Sequence, residues 1–178
     1  MLNIYRSLIE PYIFYGLIAW GQAANIYLNK ILILQKRALR LMYFADSKAH
    51  SVPLFVHSRI LPLTMLCYHL VSSMMYDINN YRVPSNISVL LTHPEQVHRH
   101  FTRFSAAGNL CVKASRPNQL LFSLGRIGVR VWNSISMKLP IKNRTPFKLE
   151  LKNRLLKLIE IEAMNVINLR CTEICKYL

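Results

Sequence analysis

The strongest constraint on the fold is a helical repeat of apolar residues between Asn25 and Phe44. Apolar or long uncharged side chains recur there every three or four residues, which places them on one face of an α-helix. This face consists of Leu28, Ile31, Leu32, Gln35, Ala38, Leu39 and Met42, and the opposite face carries Lys30, Lys36, Arg37 and Arg40. The pattern predicts an amphipathic helix whose charged face either binds phosphate groups of a nucleic acid or is exposed to solvent without a ligand.

Two other segments in the first half also predict helices. Residues 2–20 are apolar on most faces, with Pro11 as an interior kink or break. A further helix begins after Pro62 and stops at Asn79. Between the helices, Val52 precedes a proline and is therefore expected to be extended.

The second half predicts shorter elements. Leu120–Leu124 has the composition of a short strand, and Gly125–Ser136 that of a turn leading into a short helix. A final helix covers Thr145–Met164, with Thr145 as the N-cap and Pro146 at the first position. The sequence as a whole predicts a mainly α fold, with a helical bundle in the N-terminal half, short helices in the C-terminal half and at most a small β element.

The charge divides the chain further. Between Arg99 and Lys157 there are thirteen basic residues and one acid, Glu150, and the whole chain has a net charge of +15. We therefore predict an apolar helical region at 1–80, a loop or linker at 81–97 and a basic, mostly helical region at 98–178. Such a basic region favours an anionic partner such as RNA or DNA. A solvated basic face without a ligand is the alternative.

Metal-dependent catalysis is not predicted. Two-metal polymerases and nucleases need clustered carboxylates, but the chain has only two aspartates, Asp46 and Asp77, in unrelated contexts. Phe44, Ala45 and Asp46 resemble the start of a polymerase Tyr/Phe-Ala-Asp-Asp box, yet Ser47 stands at the position of the second aspartate. The sequence predicts no catalytic residue and no cofactor.

A zinc site is also not predicted. His93, His98, His100 and Cys111 are suitable ligand types, but the chain has no Cys-x-x-Cys pair and their spacing fits no familiar finger. The four cysteines are too scattered for a disulfide framework, and no signal peptide is recognised. We expect an intracellular protein, nuclear or cytoplasmic, without an integral membrane span.

Two short segments admit both a binding and a packing role. His98–Arg103 offers Arg99 and Arg103 to phosphates and planar rings to unpaired bases, or else a loop packed around Phe101. Trp132 lies among Val129, Val131 and Ile135, so we predict that its indole anchors a helix in the core.

Several of these motifs together resemble the region after the polymerase domain of reverse transcriptases from non-LTR retrotransposons, the Jockey-like branch in particular. The resemblance begins with Leu-Ile-x-Pro-x-x-x-Tyr-Gly-x-x-x-Trp-Gly at residues 8–21 and Leu-Gln-Lys-Arg-Ala-x-Arg at residues 34–40. It continues with Val-Pro-Leu-Phe at 52–55, His-Arg-His-Phe-Thr-Arg at 98–103, Gly-Arg-Ile-Gly-Val-Arg-Val-Trp-Asn-Ser-Ile at 125–135 and Phe-Lys-x-x-Leu-Lys at 147–152. It thus covers nearly the whole chain.

The resemblance implies a C-terminal piece of an RNA-directed DNA polymerase that lacks the polymerase active site. The expected partners are RNA or DNA, bound without sequence specificity, and a missing upstream polymerase domain. The residues expected to contact nucleic acid are Lys36, Arg37, Arg40, Arg99, Arg103, Arg126 and Arg130. The alternatives are an inert transposon relic and a module that binds proteins or a membrane surface through the basic helix near Lys148–Lys157.

Overall fold

The computed structural model describes residues 1–88, 91–97, 100, 102–112, 124–135, 143–162 and 174. Helices dominate these ranges, which confirms the prediction of a mainly α fold. Thr92 and Cys111 form an isolated antiparallel bridge, and the described part contains no longer strand. Of the predicted β element, Leu124 begins a helix instead, and residues 120–123 lie outside the described residues.

The N-terminal helical run is distorted at Pro11 but continues through it. It consists of α1 (Leu2–Ile4), a π-helical turn (Tyr5–Ile9) and α2 (Glu10–Phe14). The Glu10 N–H donates to the carbonyl of Tyr5, five residues back. A proline ring collides with the carbonyl four residues before it in a regular α-helix, and the wider π-helical turn relieves that collision.

The predicted single helix through Trp20 is wrong at Tyr15 and Gly16. Tyr15 is extended and Gly16 has a φ of 64°, after which α3 (Leu17–Trp20) begins. A left-handed residue interrupts the helical hydrogen bonds, and glycine adopts this conformation without the steric cost of a Cβ atom.

Three helices follow in the N-terminal half: α4 (Asn25–Met42), α5 (Val52–Ser58) and α6 (Leu63–Asn79). α4 ends before the predicted limit at Phe44, which has a φ of 51°. The prediction of an extended Val52 is wrong, because Val52 begins α5. A proline in the first turn of a helix replaces an N–H that has no partner there in any case, so the segment folds as a helix.

The C-terminal half contributes five described helices. They are α7 (Ser85–Ser88), α8 (Pro94–Val97), α9 (Arg103–Ala106), α10 (Leu124–Ile135) and α11 (Arg144–Glu162). Single helical turns therefore occur within the predicted loop. The predicted N-cap at Thr145 is also wrong, because α11 begins one residue earlier and the carbonyl of Asn143 accepts the N–H of Phe147 at 3.2 Å.

α6 lies at the centre of the molecule. It contacts α3, α4, α10 and α11, while α5 contacts α4 and α11. Its serines are compatible with this burial, because Ser72 and Ser73 each donate a 2.7 Å hydrogen bond to the carbonyl four residues before. One buried apolar cluster contains residues from both halves of the chain. The division into 1–80, 81–97 and 98–178 stays a prediction.

Among the described residues, no helix is by itself long and apolar enough to cross a bilayer. By length and hydropathy α5 and α6 would be sufficient only together, and they are separated by a bend of 42°.

Candidate nucleic-acid interface

The three predicted cations of α4 have different surroundings. Arg37 is exposed, whereas Lys36 and Arg40 are half-buried. The Arg40 Nε–H donates to the carbonyl of Ala49 at 2.9 Å, so this side chain holds the chain segment that follows α4. Burial lowers the pKa of Lys36, and the nearby Arg40 charge lowers it further. Arg37 is thus the most accessible cation of this group.

The cations predicted in the C-terminal half lie on short helices. Arg103 begins α9 and is exposed, and the Thr102 hydroxyl caps that helix by accepting the Ser105 N–H at 3.2 Å. Arg126 and Arg130 are one helical turn apart on α10, so they project from the same side. Arg130 is exposed and Arg126 half-buried.

The segment His98–Arg103 is described only in part. Arg99 lies outside the described residues, as do His98 and Phe101. His100 is exposed. Neither the stacking role nor the packing role of this segment is therefore settled by the described residues.

Further basic residues lie between α5 and α11, where the sequence offered only the alternative of a protein- or membrane-binding helix near Lys148–Lys157. His57 and Arg59, at the end of α5, face Arg154 and Lys157 of α11 across a groove of about 530 Å³, which Glu150 and Glu160 also line. The Arg59 Nη2 donates to Asn153 Oδ1 at 2.8 Å, and Arg154 Nε donates to Glu150 Oε1 at 3.1 Å. These residues are nearly a hundred positions apart in sequence, so no local pattern could reveal the groove.

The first motif of the resemblance, at residues 8–21, has a structural explanation. The Trp20 indole N–H donates to the carbonyl of Tyr15 at 2.7 Å, next to the left-handed Gly16. A Cβ atom on Gly21 would lie 2.4 Å from the carbonyl oxygen of Leu17 and 2.6 Å from Cys67 Sγ. These residues shape the turn between α2 and α4 and its packing on α6, so the motif is not by itself a binding site.

The second motif, at residues 34–40, contains Gln35, whose side chain is buried and hydrogen bonded in the core. The Gln35 Nε2 donates to the Tyr5 hydroxyl and to the Leu61 carbonyl, and its Oε1 accepts the Leu63 N–H, each at 3.0 Å. One buried amide therefore joins α4 to the N-terminal run and to the start of α6. Burial raises the pKa of Tyr5 to about 12, although the Gln35 hydrogen bond acts in the opposite direction.

The motif at residues 125–135 also packs in the core. The prediction for Trp132 is confirmed: the indole is buried, and its N–H donates to the Gly108 carbonyl at 3.2 Å. The Asn133 side chain pairs with both the N–H and the carbonyl of Leu110, each at 2.9 Å. A Cβ atom on Gly128 would lie 2.5 Å from Met75 Sδ, so α10 approaches α6 closely.

The carboxylates and candidate metal ligands do not form a cluster in the described part of the chain, which contains no group of three or more His, Cys, Asp or Glu side chains suited to a metal. Asp46 accepts the N–H of Ser47 at 2.7 Å in a local turn. Asp77 forms a 2.6 Å ion pair with Arg144, which joins the end of α6 to the start of α11.

Part of the chain is similar to a curated protein, the RNA-directed DNA polymerase from mobile element jockey of Drosophila melanogaster. The two are 54% identical over 39 residues, a segment that covers 22% of this chain and 4% of that polymerase. No protein-family model and no solved structure matches the chain. The similarity relates the chain, over this short segment, to the reverse transcriptase of a retrotransposon.

Proposed function

We propose that the chain is the region after the polymerase domain of a Jockey-like reverse transcriptase, and that it binds RNA or DNA without sequence specificity. The proposal for its origin rests on the 54% identity to the jockey polymerase, together with the order of motifs along the chain. In this role the chain does not polymerise, since it lacks the paired aspartates that hold the catalytic metals. It works inside the cell, as part of a larger protein.

The observation that carries nucleic-acid binding is the excess of cations, with a net charge of +15 over 178 residues. Arginine guanidinium groups form forked hydrogen bonds to phosphate, and each neutralised phosphate releases counterions. Arg103 on α9 and Arg130 on α10 are exposed, and Arg126 lies one turn before Arg130. We assign the principal phosphate contacts to these three arginines and to Arg99.

The cations of α4, Lys36, Arg37 and Arg40, remain a predicted second contact. Arg37 is the most available of them because Arg40 already holds the Ala49 carbonyl. Separate variants of the two groups distinguish their contributions.

An exposed apolar row on the N-terminal run supports the proposal that an upstream polymerase domain contacts this part of the chain. The N-terminal run exposes large apolar side chains at spacings of three and four residues, and these are Met1, Ile4, Leu8 and Tyr12. Monomeric proteins seldom leave such a continuous apolar surface in water, and a neighbouring domain would cover it.

The salt dependence of binding tests the proposed function. With a fluorescent single-stranded RNA, we expect affinity to fall about 10³-fold between 50 and 200 mM salt if six or more phosphates are neutralised. The pair Arg103→Gln and Arg130→Gln should reduce the slope of log affinity against log salt by about 1.4, since each phosphate contact to a single strand contributes about 0.7. The pair Arg6→Gln and Lys48→Gln removes the same charge elsewhere and should reduce it less. Absent or salt-insensitive binding would instead favour an inert relic or an interaction module.

The genomic sequence before Met1 tests the proposed origin independently. We expect an open reading frame there that encodes a Tyr/Phe-Ala-Asp-Asp box. An intronless promoter without such a frame would contradict this origin.

A further inference from the structure

The outer face of α4 exposes a second apolar surface, distinct from that of the N-terminal run. Tyr27, Leu34 and Leu41 recur every seven residues, and so do Ile26 and Ile33. All five are largely exposed, from 48% for Ile33 to 75% for Leu41. On a helix with 3.6 residues per turn they form two parallel rows along the outer side.

This surface is not needed to hold α4 in the fold. The inner face of the helix already buries Leu28, Leu32, Gln35 and Leu39. An amphipathic helix of a folded protein needs only one such apolar stripe, with polar residues on its other side. The exposed rows therefore have another use, since extended apolar surfaces mark places where a protein meets a partner.

Two cations lie between the rows. Lys30 and Arg37 are exposed and lie seven residues apart. They project between the row of Ile26 and Ile33 and the row of Tyr27, Leu34 and Leu41. Lys30 Nζ lies 5.9 Å from the centre of the Tyr27 ring. The residues of α4, Asn25–Met42, include no aspartate or glutamate. The face thus combines a central positive line with apolar borders and offers no acid of its own.

We propose that the outer face of α4 docks an acidic amphipathic helix of another protein or domain. The matching helix carries two carboxylates seven residues apart, which pair with Lys30 and Arg37, and apolar side chains on both flanks that cover the two rows. Helices recognise grooves and faces through anchors at such spacings. Apolar contacts around a charged centre exclude water and strengthen the central ion pairs.

The charge pattern disfavours the other occupants of this face. A second copy would set Lys30 and Arg37 against their own equivalents in two chains that each carry +15. Insertion into a bilayer would carry both cations into the apolar layer with the rows that flank them. Nucleic acid would pair with the cations, but it gains nothing from Ile33 and Leu34, because aliphatic side chains provide no stacking face.

A charge-swap experiment tests this docking surface on the full chain. The probe is a fluorescent 21-residue helical peptide with two glutamates seven residues apart, flanked by leucines, and binding is measured by fluorescence anisotropy. We expect saturable binding that weakens at least tenfold in the double variant Lys30→Glu and Arg37→Glu. A peptide with lysine in place of both glutamates should bind that double variant and not the original chain. The variant Leu34→Ser with Leu41→Ser should also weaken binding at least tenfold.

A matched control variant separates the loss of the α4 surface from a general change of charge. The double variant Arg6→Glu and Lys48→Glu makes the same change of charge elsewhere and should leave peptide binding within threefold, and circular dichroism verifies that each variant is folded. Absent peptide binding, or binding that the α4 variants do not change, overturns the proposal. Two other results would also overturn it. The first is that Leu34→Ser with Leu41→Ser weakens binding to phosphatidylserine vesicles but not to the peptide. The second is that Lys30→Glu with Arg37→Glu weakens binding to RNA but not to the peptide. RNA binding through Arg103 and Arg130 is measured separately, so the failure of peptide docking leaves those RNA contacts intact. Arg37 is the one residue that both proposals use, and its variant is therefore tested with the peptide and with RNA.

Discussion

The two longest helices of the first half, α4 and α6, have nearly the same length and differ in how much of their apolar surface the fold covers. α6, with 17 residues, is buried on almost every side by α3, α4, α10 and α11. α4, with 18 residues, buries one stripe and exposes large apolar side chains on the opposite side. The difference teaches that apolar content alone does not say where a helix lies. It also shows that the fold leaves apolar surface of α4 exposed.

The same comparison separates the two kinds of surface charge. In α6 the charged residue Asp77 forms an ion pair with the partly exposed Arg144 at the start of α11. In α4 the cations Lys30 and Arg37 lie on the surface among exposed apolar residues. Charge on α6 therefore serves the fold, while Lys30 and Arg37 of α4 face outward and are the cations that the docking proposal uses.

The largest predicted effect contrasts the two faces of α4. The change Leu39→Ala removes a side chain that is 0% exposed and should lower the free energy of unfolding by about 2 to 5 kcal/mol, through lost burial and a cavity. The matched change Leu34→Ala, at a residue that is 59% exposed, should lower it by less than about 0.5 kcal/mol. Urea denaturation followed by circular dichroism measures both. Equal losses would mean that the outer face also packs in the fold.

A somewhat smaller effect is expected at Gln35, whose buried amide is a polar contact between α4 and its neighbours. The change Gln35→Leu keeps the size of the side chain but leaves the Tyr5 hydroxyl, the Leu61 carbonyl and the Leu63 N–H without their partner. We expect a loss of about 2 to 4 kcal/mol in the free energy of unfolding, because buried polar groups would be unpaired. The exposed Asn29→Leu change on the same helix is the control, and a similar loss there would remove the special role of Gln35.

The smallest of the three effects is a pH dependence at Tyr5. Its pKa is about 12 in the folded chain against 10.0 for the ordinary side chain, so the unfolded state releases the proton first. Its contribution to stability is therefore complete below pH 10 and is lost as the pH rises through 10 towards 12, with a loss of about 2 kcal/mol reached at pH 12.

Comparison with Tyr5→Phe isolates this effect from those of the other tyrosines, since the chain has nine. The phenylalanine variant should lose less stability over that range in urea denaturation curves. Parallel losses in the two proteins would show that Tyr5 does not carry the pH dependence.

Much of the helical architecture could be predicted from the sequence because it depends on local periodicity. The apolar spacing in Asn25–Phe44 located α4 to within two residues at its C-terminal end. The stop at Asn79 and the burial of Trp132 also followed from local residue types. The sequence predicted a kink or break at Pro11, but the π-helical turn before Pro11 accommodates it and the break lies at the left-handed Gly16. The start of α5 at Val52 did not follow either, because Pro53 is tolerated in a first helical turn.

The candidate site was less predictable than the fold. The sequence supplied the cations, but not that Arg40 would donate to the Ala49 carbonyl while Arg37 stayed exposed. It grouped the outer side of α4 as polar, although Leu34 and Leu41 lie there too. The groove between α5 and α11 could not be found, because Arg59 and Lys157 meet only through the packing of distant helices.

The sequence by itself determined that this protein is helical and strongly basic, and that its motifs resemble a retrotransposon reverse transcriptase. Those properties depend on residue spacing and charge, which are fixed along the chain. Only the tertiary structure decided that Gln35, Gly21 and Asn133 serve the core while Lys30 and Arg37 face outward. The physical reason is that a side chain becomes structural or available according to which distant residues pack against it, and that is a property of the folded chain.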